Sequence, residues 1–289
     1  MDIHIRTFTP EDLPAIGRIV FAAFKSIAER HNFPLDFPTP EAAAGLTRVF
    51  GNHPKIYGVV AESDGVVVGS NFLDQRDAIA AVGPITVEPQ AQCAGVGRRL
   101  MQAVIERGRS SDARGIRLVQ DAFNSASLSL YTSLGFDARE PLALMTGKTR
   151  QKPSAGAEVR PLREADLEGC AELCRRVHGF DRVNELRDAM AMFGALVLVR
   201  EGRVVAYASA PNFWPLNHGV AETEEDLRAL LAGASAVGDA PLMLLVPTRR
   251  AEFFRWCLAQ GLRVVKPMTL MSMGEYREPA GAFYPSVGY

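Results

Sequence analysis

Three short segments in the first half of this 289-residue chain return, in the same order, in the second half. Arg6-x5-Asp12-Leu13 reappears as Arg160-x5-Asp166-Leu167, and Asp64-Gly65-Val66-Val67-Val68 as Glu201-Gly202-Arg203-Val204-Val205. Gly135, Pro141, Leu144 and Met145 reappear as Gly261, Pro267, Leu270 and Met271. Self-similarity of this kind is the mark of one supersecondary plan used twice, and the length suits two domains. Between the copies, Thr149-Arg150-Gln151-Lys152-Pro153-Ser154-Ala155-Gly156 has the composition of an exposed linker. The expected domains are therefore 1–149 and 157–289. The repeat offset is 137 at the second anchor and 126 at the third, so the second copy is shorter by eleven residues in between.

In the first copy that interval holds the run Ile85-Thr86-Val87-Glu88-Pro89-Gln90-Ala91-Gln92-Cys93-Ala94-Gly95-Val96-Gly97-Arg98-Arg99-Leu100. It reads as a strand, a short turn, and a loop with two glycines opening into a helix. Unpaired N–H groups and the positive end of a helix dipole converge there, which suits an anion and above all a phosphate. Gly95 and Gly97 let a ligand approach the main chain without a Cβ in the way. No Lys-Ser/Thr pair follows, so this is not a P-loop, and the third glycine of the dinucleotide fingerprint is missing. No acidic ribose-binding residue follows on an adjacent strand, which argues against a nucleotide-dependent redox protein.

Gln92-x-x-Gly95-x-Gly97 after a strand resembles the acyl-CoA pyrophosphate loop of the GCN5-related N-acetyltransferases (GNAT). The second motif of that family follows in order. Asn124 opens a helix bearing Leu130-Tyr131, and Gly135-Phe136 leads into the next strand; Ser127 stands where the family usually has Ala. The resemblance implies an α/β fold, two tandem GNAT-type mixed-sheet α/β sandwich domains, with acetyl-CoA as co-substrate. It also implies roles. The acyl thioester lies along the strand ending at Glu88, with a backbone N–H near Val87 polarising its carbonyl. Gln92, Cys93, Gly95, Val96, Gly97 and Arg98 hold the pyrophosphate, and Asn124 the pantetheine arm. Tyr131 is the general acid toward the departing thiolate. For the base, Glu88 leads, with Asp74, Asp77 and Asp121 the other acids available. Phe24, Phe33, Phe37, Phe72 and Trp214 are the aromatic candidates for the acceptor pocket.

The second copy reads as a degenerate one. Its counterpart segment, Asn217 to Leu227, has no Gly-x-Gly, and Glu224, Glu225 and Asp226 crowd the helix start, where acids favour the dipole but repel a pyrophosphate. Counting back from Gly261 as from Gly135 puts Cys257 in the place of Tyr131.

Composition narrows the rest. A hydrophobic content of 47% is ample for packed cores, and a net charge of −1 argues against a nucleic-acid binder working through a basic surface. No apolar stretch approaches the roughly 20 residues that span a bilayer. The first residues read as a strand rather than a signal peptide, so a cytoplasmic enzyme with neither nucleic-acid nor membrane partner is expected. Four cysteines without Cys-x-x-Cys point to reduced thiols, with Cys170 and Cys174 four apart in a helix core. The five histidines lack metal-ligand spacing, so no metal is expected. Cys93, at a helix start, should alkylate readily and be protected by CoA, but no Cys/His/Asn constellation accompanies it.

Periodicity predicts a strand over 3–8, helices over 10–30 and 40–51, and strands over 55–62, 66–74 and 79–88. The phosphate-binding helix is expected from about 95 to 111, then strand 116–122, helix 125–134 and strands 135–140 and 142–147. The aromatic tail Phe283 to Tyr289 is expected to dock; the cleft between the copies and a homodimer partner are both open places for it. The functional expectation is direct acetyl transfer to a small amine in a ternary complex. The alternatives are a protein acetyltransferase, on lysine or an N-terminus, and a non-catalytic acetyl-CoA-responsive module.

Overall fold

The computed structural model describes residues 2–92, 95–152 and 158–288; Cys93 and residues 153–156 of the expected linker lie outside them. Two compact units emerge: residues 1–118 with 123–136, and 119–122 with 137–289.

The first unit opens with β1 (His4–Thr7), a 3-10 turn and α1 (Leu13–Arg30), then α2 (Pro40–Gly51), β2 (Ile56–Ser63), β3 (Val66–Asp74), β4 (Ile79–Val82) and β5 (Thr86–Val87). It continues through α3 (Val96–Arg109), β6 (Gly115–Asp121) and α4 (Ser125–Ser133). Strands β1, β2, β3 and β4 pair antiparallel in chain order, and β6 joins β4 in parallel, with Ile79 opposite Gly115. Ile16, Ile19 and Val20 of α1 and Leu100, Met101 and Val104 of α3 are fully buried, at the three-and-four spacing of a helix face.

The strand expected over 79–88 is two strands. Gly83, at φ +130°, and Pro84 part β4 from β5. Proline has no N–H to give a ladder and glycine takes the positive φ, so the pairing with β6 stops at Ala81. Among the described residues β5 pairs instead with β3, Gly69 opposite Val87. This break leaves β5 outside the ladder that β4 and β6 share.

The second unit holds β7 (Asp137–Gly147), β8 (Glu158–Pro161), α5 (Leu167–His178), α6 (Val183–Met192), β9 (Leu196–Arg200), β10 (Arg203–Ala208) and β11 (Gly219–Ala221). It ends with α7 (Glu224–Val237), β12 (Leu242–Pro247), α8 (Ala251–Ala259), β13 (Arg263–Gly274) and β14 (Ala282–Tyr284). One sheet runs β8-β9-β10-β11-β14, and a second ladder runs from the end of β6 through β13 and β7 to β12. The two strands expected at 135–140 and 142–147 are one. The carbonyl of Pro141, and with it the ring nitrogen, faces β12 where that strand ends, so the missing N–H leaves no gap in the ladder.

The compact units divide elsewhere than after residue 149, and β7 is the reason. It lies antiparallel to β13 with the repeat-equivalent residues Leu142 and Met268 opposite each other, and the pairs on either side, Pro141 on Thr269 and Ala143 on Pro267, are equivalent to one another. The neighbouring bonds match too: Ala122 N–H donates to Pro267 at 3.1 Å and Thr248 N–H to Pro141 at 3.0 Å. Each copy's last long strand is thus laid against the partner copy's, about a local two-fold at Leu142 and Met268.

The three repeat anchors are structural devices. Arg6 forks onto Asp12 at 2.7 and 2.9 Å, and Arg160 onto Asp166 at 2.7 and 2.8 Å. Asp64-Gly65 and Glu201-Gly202 turn their hairpins with positive φ at both positions. Gly135 and Gly261 end α4 and α8 at φ +96° and +100°. Phe136 N–H then bonds to Tyr131 and Leu262 N–H to Cys257, each at 3.1 Å.

Candidate functional site

Gly95 opens α3 in the left-handed region, at φ +78°, and brings no capping side chain. The helix ladder begins with Arg99 N–H donating to Gly95 at 3.2 Å, so Val96, Gly97 and Arg98 present N–H groups at the positive end of the dipole. A Cβ on Gly97 would lie 3.5 Å from Leu130 and 3.9 Å from Val87. The space above it is therefore a cradle between α4 and β5. Arg98 reaches across to α4 and donates to Ser133 Oγ at 2.8 Å while staying exposed. An exposed guanidinium held by a neutral hydroxyl keeps its full charge for an anion.

β5 forms the second wall. Glu88 N–H donates to Val68 at 2.8 Å. Hydrogen-bonded and non-bonded pairs alternate in an antiparallel ladder, so Val87, opposite Gly69, turns its N–H and carbonyl away from β3. Gln92 Nε2 donates to the Val87 carbonyl at 3.4 Å. On α4, Asn124 is the N-cap: its Oδ1 accepts from Ser127 N–H at 3.2 Å, which leaves the amide NH₂ outside the cap. Tyr131 is buried on the same helix, edge-on to Phe136 at 6.3 Å. Cys93 lies outside the described residues.

The candidate bases differ in their surroundings. Asp74 is held by the buried guanidinium of Arg76 and Asp121 by Lys266 at 2.6 Å. Among the described residues, Glu88 is paired with the exposed Arg18, at 3.6 Å. Among the aromatic candidates, Phe72 is core, packed between Phe8 and Phe50. Phe24 meets Phe37 edge-on at 5.3 Å, and Phe33 stacks on Phe123 at 4.2 Å with His31 beside them at 5.1 Å. Phe123 was missed in the sequence, although it directly precedes Asn124. Trp214 sits in the second unit against Lys266. Among the described residues no group of His, Cys, Asp and Glu is arranged to hold a metal, and no helix is long and apolar enough to cross a membrane.

The second copy lacks this cradle. Seven residues separate Glu88 from α3, but only Thr223 separates Glu222 from α7. Thr223 Oγ1 accepts from Asp226 N–H at 3.1 Å, so this helix is capped from within. Cys257, where Tyr131 would be, is a buried thiol pushed up to about 12 by burial.

Residues 23–136 match the acetyltransferase (GNAT) family. The chain carries a GNAT domain. Solved structures extend the likeness over both copies of the GNAT plan. A Pyrococcus horikoshii protein provisionally named an acetyltransferase superposes with a TM-score of 0.76 at 19% identity, over 99% of this chain and 94% of that one. A GCN5-related N-acetyltransferase from Sphaerobacter thermophilus gives 0.61 at 17%, over 96% of each chain. A tandem GNAT protein from the clavulanic acid biosynthesis pathway gives 0.58 at 14%, over 94% of this chain and 98% of that one. No curated protein sequence matches at a significant level. The fold of this chain is therefore that of tandem GNAT proteins, and its second copy has no glycine-opened loop before α7.

Proposed function

We propose that the first copy transfers an acetyl group from acetyl-CoA to a small amine by direct attack in a ternary complex. The observation that carries this reading is the uncapped N-terminus of α3, with Gly97 bare, beside the outward-facing backbone of Val87. Acetyl-CoA supplies the activated thioester and, as a leaving group, its thiolate. The chain supplies the rest. Val96, Gly97 and Arg98 N–H groups and the Arg98 guanidinium bind the pyrophosphate, and the Asn124 amide holds the arm. Val87 N–H points where the thioester oxygen gathers charge. Tyr131 protonates the departing sulfur, and Glu88, free of a tight ion pair, takes a proton from the amine directly or through water.

Calorimetric titration of the whole chain with acetyl-CoA, beside Gly97→Trp, tests the placement. One site per chain, lost in the variant, is the expected result, since an indole fills the space between Leu130 and Val87. Binding that survives Gly97→Trp unchanged would remove the cradle from the argument.

A further inference from the structure

The second copy has no cradle for a pyrophosphate, yet it keeps the wall that would carry the acyl arm. Glu222 N–H donates to Val205 at 2.9 Å, as Glu88 does to Val68, so Ala221 stands where Val87 stands. Arg250 opens α8 as Asn124 opens α4, each eleven residues before its helix-ending glycine. Both positions are engaged by one segment. Ser209 N–H bonds to His218 at 3.0 Å, and with the Glu222 bond this sets the alternation along β11, so Ala221 and Gly219 turn their N–H and carbonyl groups to Ala282 and Tyr284 of β14. Arg250 donates to the Gly281 carbonyl and lies over the Phe283 ring at 5.2 Å. Ala282 and Tyr284 pack in one core with Leu242, Leu244 and Val246 of β12. The tail thus fills the gap between β11 and β12.

We propose that Gly281–Tyr284 is an internal ligand, closing a slot in the second copy that is built for an extended, amide-bearing arm of the pantetheine type. The equivalence rests on the acyl-arm site proposed for the first copy. A strand and a pantetheine arm both offer amide N–H and carbonyl groups to a strand edge, and a donated strand completes that edge as β-augmentation does. The nucleotide has no place there, because Thr223 caps α7 and Glu224 occupies Arg250.

Hydrogen exchange of the full-length chain is the test, with S-acetylpantetheine and acetyl-CoA as probes. In the wild type, Gly219, Ala221, Ala282 and Tyr284 amides should be protected. Gly219→Ala puts a Cβ 2.3 Å from the Tyr284 ring and should drive the tail out, raising exchange over 219–221 at least tenfold. Millimolar S-acetylpantetheine should then restore protection there, and acetyl-CoA should do no better. Arg250→Ala, which removes no core volume, should act in the same direction and serves if Gly219→Ala does not fold. A released tail with exchange over 219–221 indifferent to S-acetylpantetheine would overturn the proposal. Residues 86–98 of the wild type report separately: if acetyl-CoA fails to protect them, it is the first-copy site that fails.

Discussion

At the scale of single residues, the two copies differ by a handful of atoms with large chemical consequences. Tyr131 becomes Cys257, and burial holds that thiol too high to ionise near neutrality. Asn124, a cap with a spare amide, becomes Arg250, whose charge is spent on Glu224 and a tail carbonyl. For the first copy, Tyr131→Phe removes the proposed proton donor while keeping the ring that packs on Phe136. Steady-state kinetics should show kcat lower by roughly 10²-fold, the usual range for losing a general acid, with acetyl-CoA affinity unchanged. An unaltered kcat would mean that water protonates the thiolate. Gly95, Gly97, Asn124 and Tyr131 were legible in the sequence because their spacing within one loop or one helix is a local matter. Phe123 and the Arg98–Ser133 bond were not, since each joins elements that only folding brings together.

At the scale of elements, the strand-to-helix corner is built identically in both copies. Asp12 and Asp166 each take a forked Arg and a backbone N–H, from Thr9 at 2.7 Å and Arg163 at 2.9 Å. The bonded guanidinium holds each carboxyl below its ordinary range, against a smaller opposing effect of burial. A carboxyl depressed in the fold stabilises above its unfolded value and stops doing so as pH falls through the folded one. Asp166→Asn should therefore cost about 1–2 kcal/mol at neutral pH, the scale of a charge-assisted bond. In denaturant melts this gap should close as the pH drops well below about 4. A gap that stays constant down to pH 2 would show that the charge is not what the corner uses.

At the scale of the whole molecule, the repeat is more than two beads in series. β7 and β13 are exchanged about Leu142 and Met268, and β12 completes β7 on its other side. A protease site placed within 153–156 and cleaved should leave the two fragments co-eluting on native size exclusion, parting only in denaturant. Fragments that separate without denaturant would contradict the exchanged strands.

What the sequence by itself determined is local: the hairpin turns, the Arg–Asp corners, the glycine-opened helix, the capped one that replaced it, and the order in which they come. Each is specified by residues within about a dozen positions, where backbone sterics and capping chemistry act. Tertiary structure alone decided which strand lies beside which. Nothing in the run from Asp137 to Gly147 says that its neighbours are β12 and β13, and the tail's aromatics announced docking without a place. Strand edges pair wherever unsatisfied N–H and carbonyl groups meet a partner that also buries apolar side chains. Here that partner was about a hundred residues away or more for β7 and, for β11, the last strand among the described residues.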